Sequence, residues 1–408
     1  MTERARAERL DGDDPLAGFR ERFVIDDPDT IYLDGNSLGR LPHATRARVG
    51  ALVDQWGTEL VSGWHDWIEL PARVGDLIAD AVLDARPGEV IVSDSTTVNL
   101  YKLAHAVAAG RAGAIIGHAG DFPTDRYVLQ GLAAALGREL RLFESAPVDG
   151  PSAADVGRAC ADGPIALVCL SHVDYRSSAV ADTRAIEAAA GAPVLWDLSH
   201  SAGVLRADGI GLAVGCTYKY LNAGPGAPAF LYVRRDLQEG LRTPIQGWFG
   251  QRLQFEMGRD YDPEPGVASF LAGTPNVPAL VAVEEGARLV GEAGVARLRT
   301  KAEALTAYLV ELHDAWLAPL GFELGSPRDA SRRGGHVSLR HAEAWPICRV
   351  LIERARVIPD FRAPDSIRLG LPPLYTRFVD VHDALERLRL LVERGEQREV
   401  DPARSRVT

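Results

Sequence analysis

From residue 89 to residue 196 the sequence alternates continuous apolar runs of strand length with segments of helical character, and this alternation constrains the fold more than any other feature. Glu89-Val90-Ile91-Val92 precedes a helical stretch over 97–109, and Ala114-Ile115-Ile116 follows it. Pro164-Ile165-Ala166-Leu167-Val168-Cys169-Leu170 precedes a helix over 183–190, after which comes Ala192-Pro193-Val194-Leu195-Trp196. A run that is apolar at every position must be covered on both faces. The pattern therefore predicts an α/β fold with a mostly parallel central sheet flanked by helices. Ligands in such sheets bind beyond the carboxyl ends of the strands, so the polar residues after each run are the candidate site.

Those residues carry chemistry. Ser93-Asp94-Ser95-Thr96-Thr97-Val98-Asn99 leads into a helix, where hydroxyls and free N–H groups suit a phosphate. Plain N-capping by Ser95 or Thr96 explains the same residues. In Gly120-Asp121-Phe122-Pro123-Thr124-Asp125, Phe122 could stack on a planar ring and Asp125 could hold a polar atom; a turn with a core Phe is the alternative. Ser171-His172 places a hydroxyl and an imidazole at the next strand end. Asp197-Leu198-Ser199-His200 then puts an acid at a strand end and a histidine three residues on.

Of the 45 Lys and Arg residues only Lys102, Lys219 and Lys301 are lysine. A lysine kept in the glycine-flanked stretch Gly215-Cys216-Thr217-Tyr218-Lys219-Tyr220-Leu221-Asn222 invites a chemical reading, because a buried lysine can lose its proton and form a Schiff base whereas arginine cannot. A snorkelling or salt-bridged lysine is the plain alternative. Asp197 precedes Lys219 by 22 residues (219 less 197). An acid so placed fits the partner of a protonated pyridine nitrogen, so with the hydroxyl-rich helix start the constellation reads as a pyridoxal phosphate site.

Around this centre, helices are predicted over 277–290 and 295–316, broken at Gly291-Glu292-Ala293-Gly294. Short strands over 335–339 and 366–369, around a helix over 345–354, predict a smaller α/β unit. The expected organisation is an N-terminal segment 1–45 contributing to the active site and the small domain, a large cofactor-binding domain 46–294, and a small C-terminal domain 295–408. The charged stretch from Arg394 onward is expected to fray. A formal net charge of −11 with dispersed arginines argues against a nucleic-acid partner, and no apolar run approaches the roughly 20 residues of a membrane span. Cys160, Cys169, Cys216 and Cys348 form no metal-ligand spacing with histidine, so no metal is expected. They read as reduced thiols of a cytoplasmic protein, as does a start that lacks the apolar core of a secretory signal.

Read together, these residues resemble the kynureninase family of fold type I pyridoxal-phosphate enzymes. The resemblance spans most of the chain and is carried by Asp34-Gly35-Asn36-Ser37-Leu38-Gly39, Asp94-Ser95-Thr96-Thr97-Val98-Asn99, Phe122-Pro123-Thr124-Asp125, Asp197-Leu198-Ser199-His200-Ser201-Ala202-Gly203, Thr217-Tyr218-Lys219-Tyr220-Leu221-Asn222, Gly247-Trp248-Phe249-Gly250 and Ser366-Ile367-Arg368-Leu369. It implies that Lys219 holds the cofactor and later moves protons, with Asp197 on the ring nitrogen and Asp125 nearby. It assigns the phosphate to Thr96, Thr97, Tyr218, Trp248 and Thr274, the last two reaching in from the second subunit of a homodimer. It stacks Phe122 on the ring, lines the pocket with Ser171 and His200, and gives Arg368 a bidentate grip on the substrate α-carboxylate. Asn36 and Ser37 are placed beside the substrate.

The implied reaction is hydrolysis of the Cβ–Cγ bond of L-kynurenine to anthranilate and L-alanine, a step of tryptophan catabolism, with Tyr218 shuttling protons. Gly273-Thr274 resembles the bacterial type that favours unsubstituted kynurenine, while the loop 61–66 departs from the family pattern. Alternatives are a biosynthetic enzyme acting on a substituted kynurenine, an aminotransferase, and a catalytically silent binding protein of the same fold; a cysteine desulfurase is disfavoured, because Cys348 falls in an apolar helix and Cys216 in the packed stretch before Lys219 rather than in a mobile loop.

Overall fold

The structure, a computed structural model, describes residues 2–399. Its centre is a seven-stranded sheet of β1 (Val90–Ser93), β2 (Ala114–His118), β3 (Leu140–Phe143), β4 (Ile165–Ser171), β5 (Val194–Asp197), β6 (Leu212–Gly215) and β7 (Ala229–Val233) in the spatial order β1-β7-β6-β5-β4-β2-β3. β3, β2, β4, β5 and β6 run parallel, and β7 lies antiparallel between β6 and β1. The continuous apolar runs have a direct cause. Side chains alternate between the two sides of a strand, and both sides are covered. Val90 and Val92 pack in one core while Ile91 packs in the other, and Trp196 and Leu195 divide in the same way.

The predicted strands and helices of this region are present to within two residues at their ends. β3, β6 and β7 were not anticipated from the sequence. β3 is a half-buried edge strand without a continuous apolar signature and β6 is a four-residue run ending in Gly215, whereas β7, Ala229-Phe230-Leu231-Tyr232-Val233, carries the same continuous apolar signature as the predicted strands.

A second sheet of four antiparallel strands, ordered Asp360–Arg362, Ser366–Gly370, His336–Arg340 and Glu323–Leu324, packs with helices Ala344–Glu353 and Phe378–Glu393 around a separate apolar cluster. Helix Val295–Leu312 spans the two bodies: Val295 and Leu298 sit in the large core, and Leu305, Tyr308 and Leu309 sit in the small one. The break expected over 291–294 falls at the second of its two glycines. Helix Val277–Ala293 runs through Gly291 and ends at Gly294, which adopts φ 80°. A Cβ on Gly291 would lie 3.1 Å from that of Ala81, so this glycine serves close packing rather than termination.

The N-terminal segment is stitched to the small sheet. Ile31–Tyr32 pairs in parallel with Val357–Ile358, and the Leu33 carbonyl accepts from the Gly370 N–H at 2.7 Å. Part of the stretch expected to fray is ordered. Glu396–Glu399 forms a turn with Gln397 buried and bonded to Glu343, and the rest of the predicted frayed stretch, 400–408, lies outside the described residues. Among the described residues no helix is long and apolar enough to cross a membrane.

Candidate active site

β1, β2, β4, β5 and β6 all deliver their following loops to one cavity, which the small sheet and the N-terminal segment close from the other side. Its lining comprises Asn36, Ser37, Thr96, Thr97, Phe122, Thr124, Asp125, Ser171, Tyr175, Asp197, Ser199, His200, Tyr218, Lys219, Arg362 and Arg368. The structure thus brings together every site residue singled out in the sequence except His172, Trp248 and Thr274.

At the end of β1 the chain turns through Asp94, at φ 51°, and Ser95 caps helix Thr96–Ala108 by accepting the Val98 N–H at 3.3 Å. Capping is therefore the work of Ser95. The Thr96 hydroxyl is left buried and without a partner among the described residues, at the positive end of a helix. On the far side of the cavity Asp197 receives both the Ser199 N–H at 2.8 Å and the Ser199 hydroxyl at 2.6 Å on Oδ1, which leaves Oδ2 for a ligand. Asp125, also buried, has an unpartnered Oδ2.

Lys219 sits in the loop after β6, which is held on three sides. The Thr217 hydroxyl bonds the Pro228 carbonyl at 2.7 Å, the Tyr218 carbonyl accepts the Gly39 N–H at 2.8 Å, and helix Val277–Ala293 packs Gly286 against Leu221. Its Nζ lies 2.9 Å from His200 Nε2. Burial, reinforced by Lys219, holds the His200 imidazole well below its ordinary pKa, so the ring is neutral. Burial also raises the Asp125 and Asp197 carboxyls, Asp125 the more because Asp197 and Asp121 face it, while Lys219 opposes the rise in both. Two buried acids facing one lysine make this end of the cavity suited to a further cation. The Tyr218 phenol is pushed up by the neighbouring Cys216 and by burial and stays protonated.

These features fit pyridoxal phosphate: an orphaned hydroxyl at a helix N-terminus for a phosphate, a carboxylate oxygen for a protonated ring nitrogen, Phe122 at the rim for the ring face, and a lysine between them.

Several expectations require correction. Arg368 is not an open fork. Only 1% exposed, it donates from Nε to Asp360 at 2.8 Å, from Nη2 to Asp360 and to Ser37 Oγ, and from Nη1 to the Tyr175 carbonyl at 2.5 Å. His172 does not line the cavity with Ser171; successive residues of a strand face opposite ways, and its ring packs edge-on to Trp196. Trp248 and Thr274, expected to act across a subunit boundary, stand outside this cavity: Trp248 is exposed and meets Phe249 and Phe255 edge-on, and Thr274 lines a separate cleft beside Ser93, Asp94 and Ser95. The loop 61–66 lies off the cavity too, with Trp64 packed on Trp67 and Phe249. Conversely, Thr124, Tyr175, Ser199 and Arg362 line the cavity without having been picked out. Ser199 and Thr124 stood inside motifs already in view, whereas Tyr175 and Arg362 come from a loop and a strand that carried no pattern. Tyr175 meets Phe122 edge-on at 5.2 Å.

Comparison with known proteins bears on this geometry. A profile described as the kynureninase C-terminal domain matches residues 298–388. The kynureninase of Burkholderia pseudomallei (strain 1106a) is 40% identical over 96% of this chain and 96% of its own length. That of Pseudomonas fluorescens is 39% identical over 97% of this chain and 96% of its own. Among solved structures, the apo cysteine desulfurase of Thermococcus onnurineus NA1 superposes with a TM-score of 0.75 over 95% of this chain and 98% of its own, at 18% identity. The cysteine desulfurase CsdA of Escherichia coli gives 0.78 over 93% and 98%, at 17% identity. At these identities the two structures speak for the fold alone.

Proposed function

The chain belongs to the kynureninase family, and from that membership and its cavity we infer that it is a pyridoxal-phosphate-dependent hydrolase that cleaves the Cβ–Cγ bond of L-kynurenine to give anthranilate and L-alanine. The observation that carries the reading is the convergence of Lys219, Asp197, Thr96 and Arg368 on one cavity of a fold type I architecture. A cysteine desulfurase needs a thiol at the substrate. Cys169, Cys216 and Cys348 are buried, and none of the four cysteines lines the cavity.

When bound, pyridoxal phosphate supplies the carbonyl at which the substrate amine exchanges with Lys219 and an electron-withdrawing ring that stabilises charge at the substrate Cα. Thr96 and Thr97 would bind its phosphate at the helix N-terminus, Phe122 would cover its ring, and Asp197, fixed by Ser199, would keep its nitrogen protonated with Asp125 alongside. Ser171 borders the ring. Lys219, once released, takes the Cα proton at Nζ, steered by the neutral His200 within hydrogen-bond reach. Tyr218 holds a proton at Oη for delivery to the substrate as water adds to the aryl ketone and the Cβ–Cγ bond breaks. Arg368, Asn36 and Ser37 hold the amino-acid end.

Trp248 and Thr274 are assigned to the cofactor phosphate of a partner subunit in a homodimer. Their distance from the cavity of their own chain and the apolar surface around Trp248, Phe255 and Met257 support that assignment. The division into 1–45, 46–294 and 295–408 is supported by the two separate apolar cores, and a cytoplasmic setting by four unpaired thiols. The test is incubation with pyridoxal phosphate and either L-kynurenine or 3-hydroxykynurenine, followed by mass spectrometry of alanine and the aromatic amine. Equimolar alanine and anthranilate is the expected result; glutamate formed from 2-oxoglutarate instead would mean transamination.

A further inference from the structure

Taking the reading above that the cavity admits an α-amino acid, we propose that Arg362 is a second carboxylate-binding residue of this site, supplying the hydrogen-bond donors that Arg368 has already committed to the protein. A guanidinium has five N–H donors, and a bidentate grip on a carboxylate uses two that lie parallel. Four contacts already occupy Arg368: Nε and Nη2 on Asp360, Nη2 on Ser37 at 3.1 Å, and Nη1 on the Tyr175 carbonyl. One N–H remains, which is too few for a fork.

Arg362 is differently placed. It lines the same cavity, its side chain is 37% exposed against 1% for Arg368, and its Nε is buried without a partner among the described residues. Its other contacts are Nη2 to Asp360 at 3.0 Å and Nη1 to the Phe361 carbonyl at 3.5 Å, the outer limit of a hydrogen bond.

The strand pairing explains why the two arginines meet. Asp360 and Arg362 are two residues apart on one strand and so share a face, and Asp360 stands directly opposite Arg368 on the next strand. One carboxylate, 2% exposed, thus anchors both guanidiniums and fixes their spacing. A substrate carboxylate entering between them takes the free Arg368 N–H and the uncommitted donors of Arg362, while Ser37 keeps its place on Arg368 Nη2.

The test compares two ligands that differ only in the carboxylate, L-kynurenine as substrate and its decarboxylated amine as competitive inhibitor, on the holoenzyme and on Arg362→Gln and Arg362→Lys. Arg362→Gln is expected to raise KM for L-kynurenine about tenfold, the loss of one charge-assisted contact, with KM carrying more of the change than kcat. The inhibition constant of the amine should stay within about twofold of wild type, and Arg362→Lys should recover part of the loss. An unchanged KM, or equal losses for both ligands, would overturn the proposal. Should Arg362→Gln fail to fold or to bind cofactor, the same two-ligand comparison on Arg362→Lys decides. Absence of wild-type turnover overturns the functional reading as well, whereas wild-type turnover with an unchanged KM removes this inference alone.

Discussion

The cavity is polarised residue by residue, with buried carboxyls at the lysine end and paired arginines at the other. Asp34 belongs to the arginine end, where burial and then the facing Asp360 push its carboxyl up to about 6, against the pull of Ser37, Arg368 and Arg362. A folded-state pKa above the unfolded 3.8 means that the folded protein binds the proton more tightly. This contribution to stability is therefore complete below about 3.8 and is lost as pH rises through about 6. Asp34→Asn should remove the dependence: relative to wild type, the variant should gain up to about 3 kcal/mol between pH 4 and pH 7.5, read by urea denaturation at several pH values. A constant difference across that range would refute it. The residue types at this site were legible because few side chains can do the work, yet the commitment of Arg368 to Asp360 was not. That contact depends on a strand register between residues eight apart, which no local pattern announces.

At the scale of elements, the site depends on how closely backbone segments approach the lysine loop. A Cβ added to Gly286, within helix Val277–Ala293, would fall 1.8 Å from the Leu221 carbonyl oxygen, two residues from Lys219. Helix and loop are both backbone there, so neither can yield cheaply. Gly286→Ala is expected to destabilise the protein by about 1–3 kcal/mol and to weaken pyridoxal phosphate binding, because the displaced segment carries Lys219. Thermal denaturation with a titration of the lysine-bound cofactor absorbance checks both parts, and normal cofactor affinity would show the loop to be indifferent to the helix. Gly39 approaches the Lys219 carbonyl in the same way, which is how the N-terminal segment comes to face the site. Periodicity exposes the elements that are buried on both sides or amphipathic. It missed the half-buried edge strand β3, and of the two glycines it read as a helix break only Gly294 ends the helix, while Gly291 serves packing.

At the scale of the whole molecule, Trp248 and Thr274 stand outside the cavity of their own chain, and Trp56, Val61, Phe255 and Met257 are more than half exposed. Apolar surface of this kind calls for a partner. If a second copy supplies Trp248, two crippled variants should repair each other. Mixing Lys219→Ala with Trp248→Ala subunits, each of low activity alone, should restore about a quarter of wild-type activity, since half of the dimers are mixed and each has one intact site. Activity no greater than the sum of the parents would exclude a shared site.

The alternation of doubly buried strands with helices, the hydroxyl-rich helix start, Asp197 and the retained Lys219 were all readable from the order of residues. Each expresses a local rule: side-chain period, helix-end electrostatics, or the few functional groups able to trap a carbonyl. Folding alone settled which of them face one another. Ser95 rather than Thr96 caps the helix, His172 turns away from Ser171, Arg362 joins Arg368 on Asp360, and Trp248 stands outside the cavity of its own chain. The cap is settled by local backbone geometry, whereas the other three depend on strand register and packing that arise only when the whole chain closes around its cores.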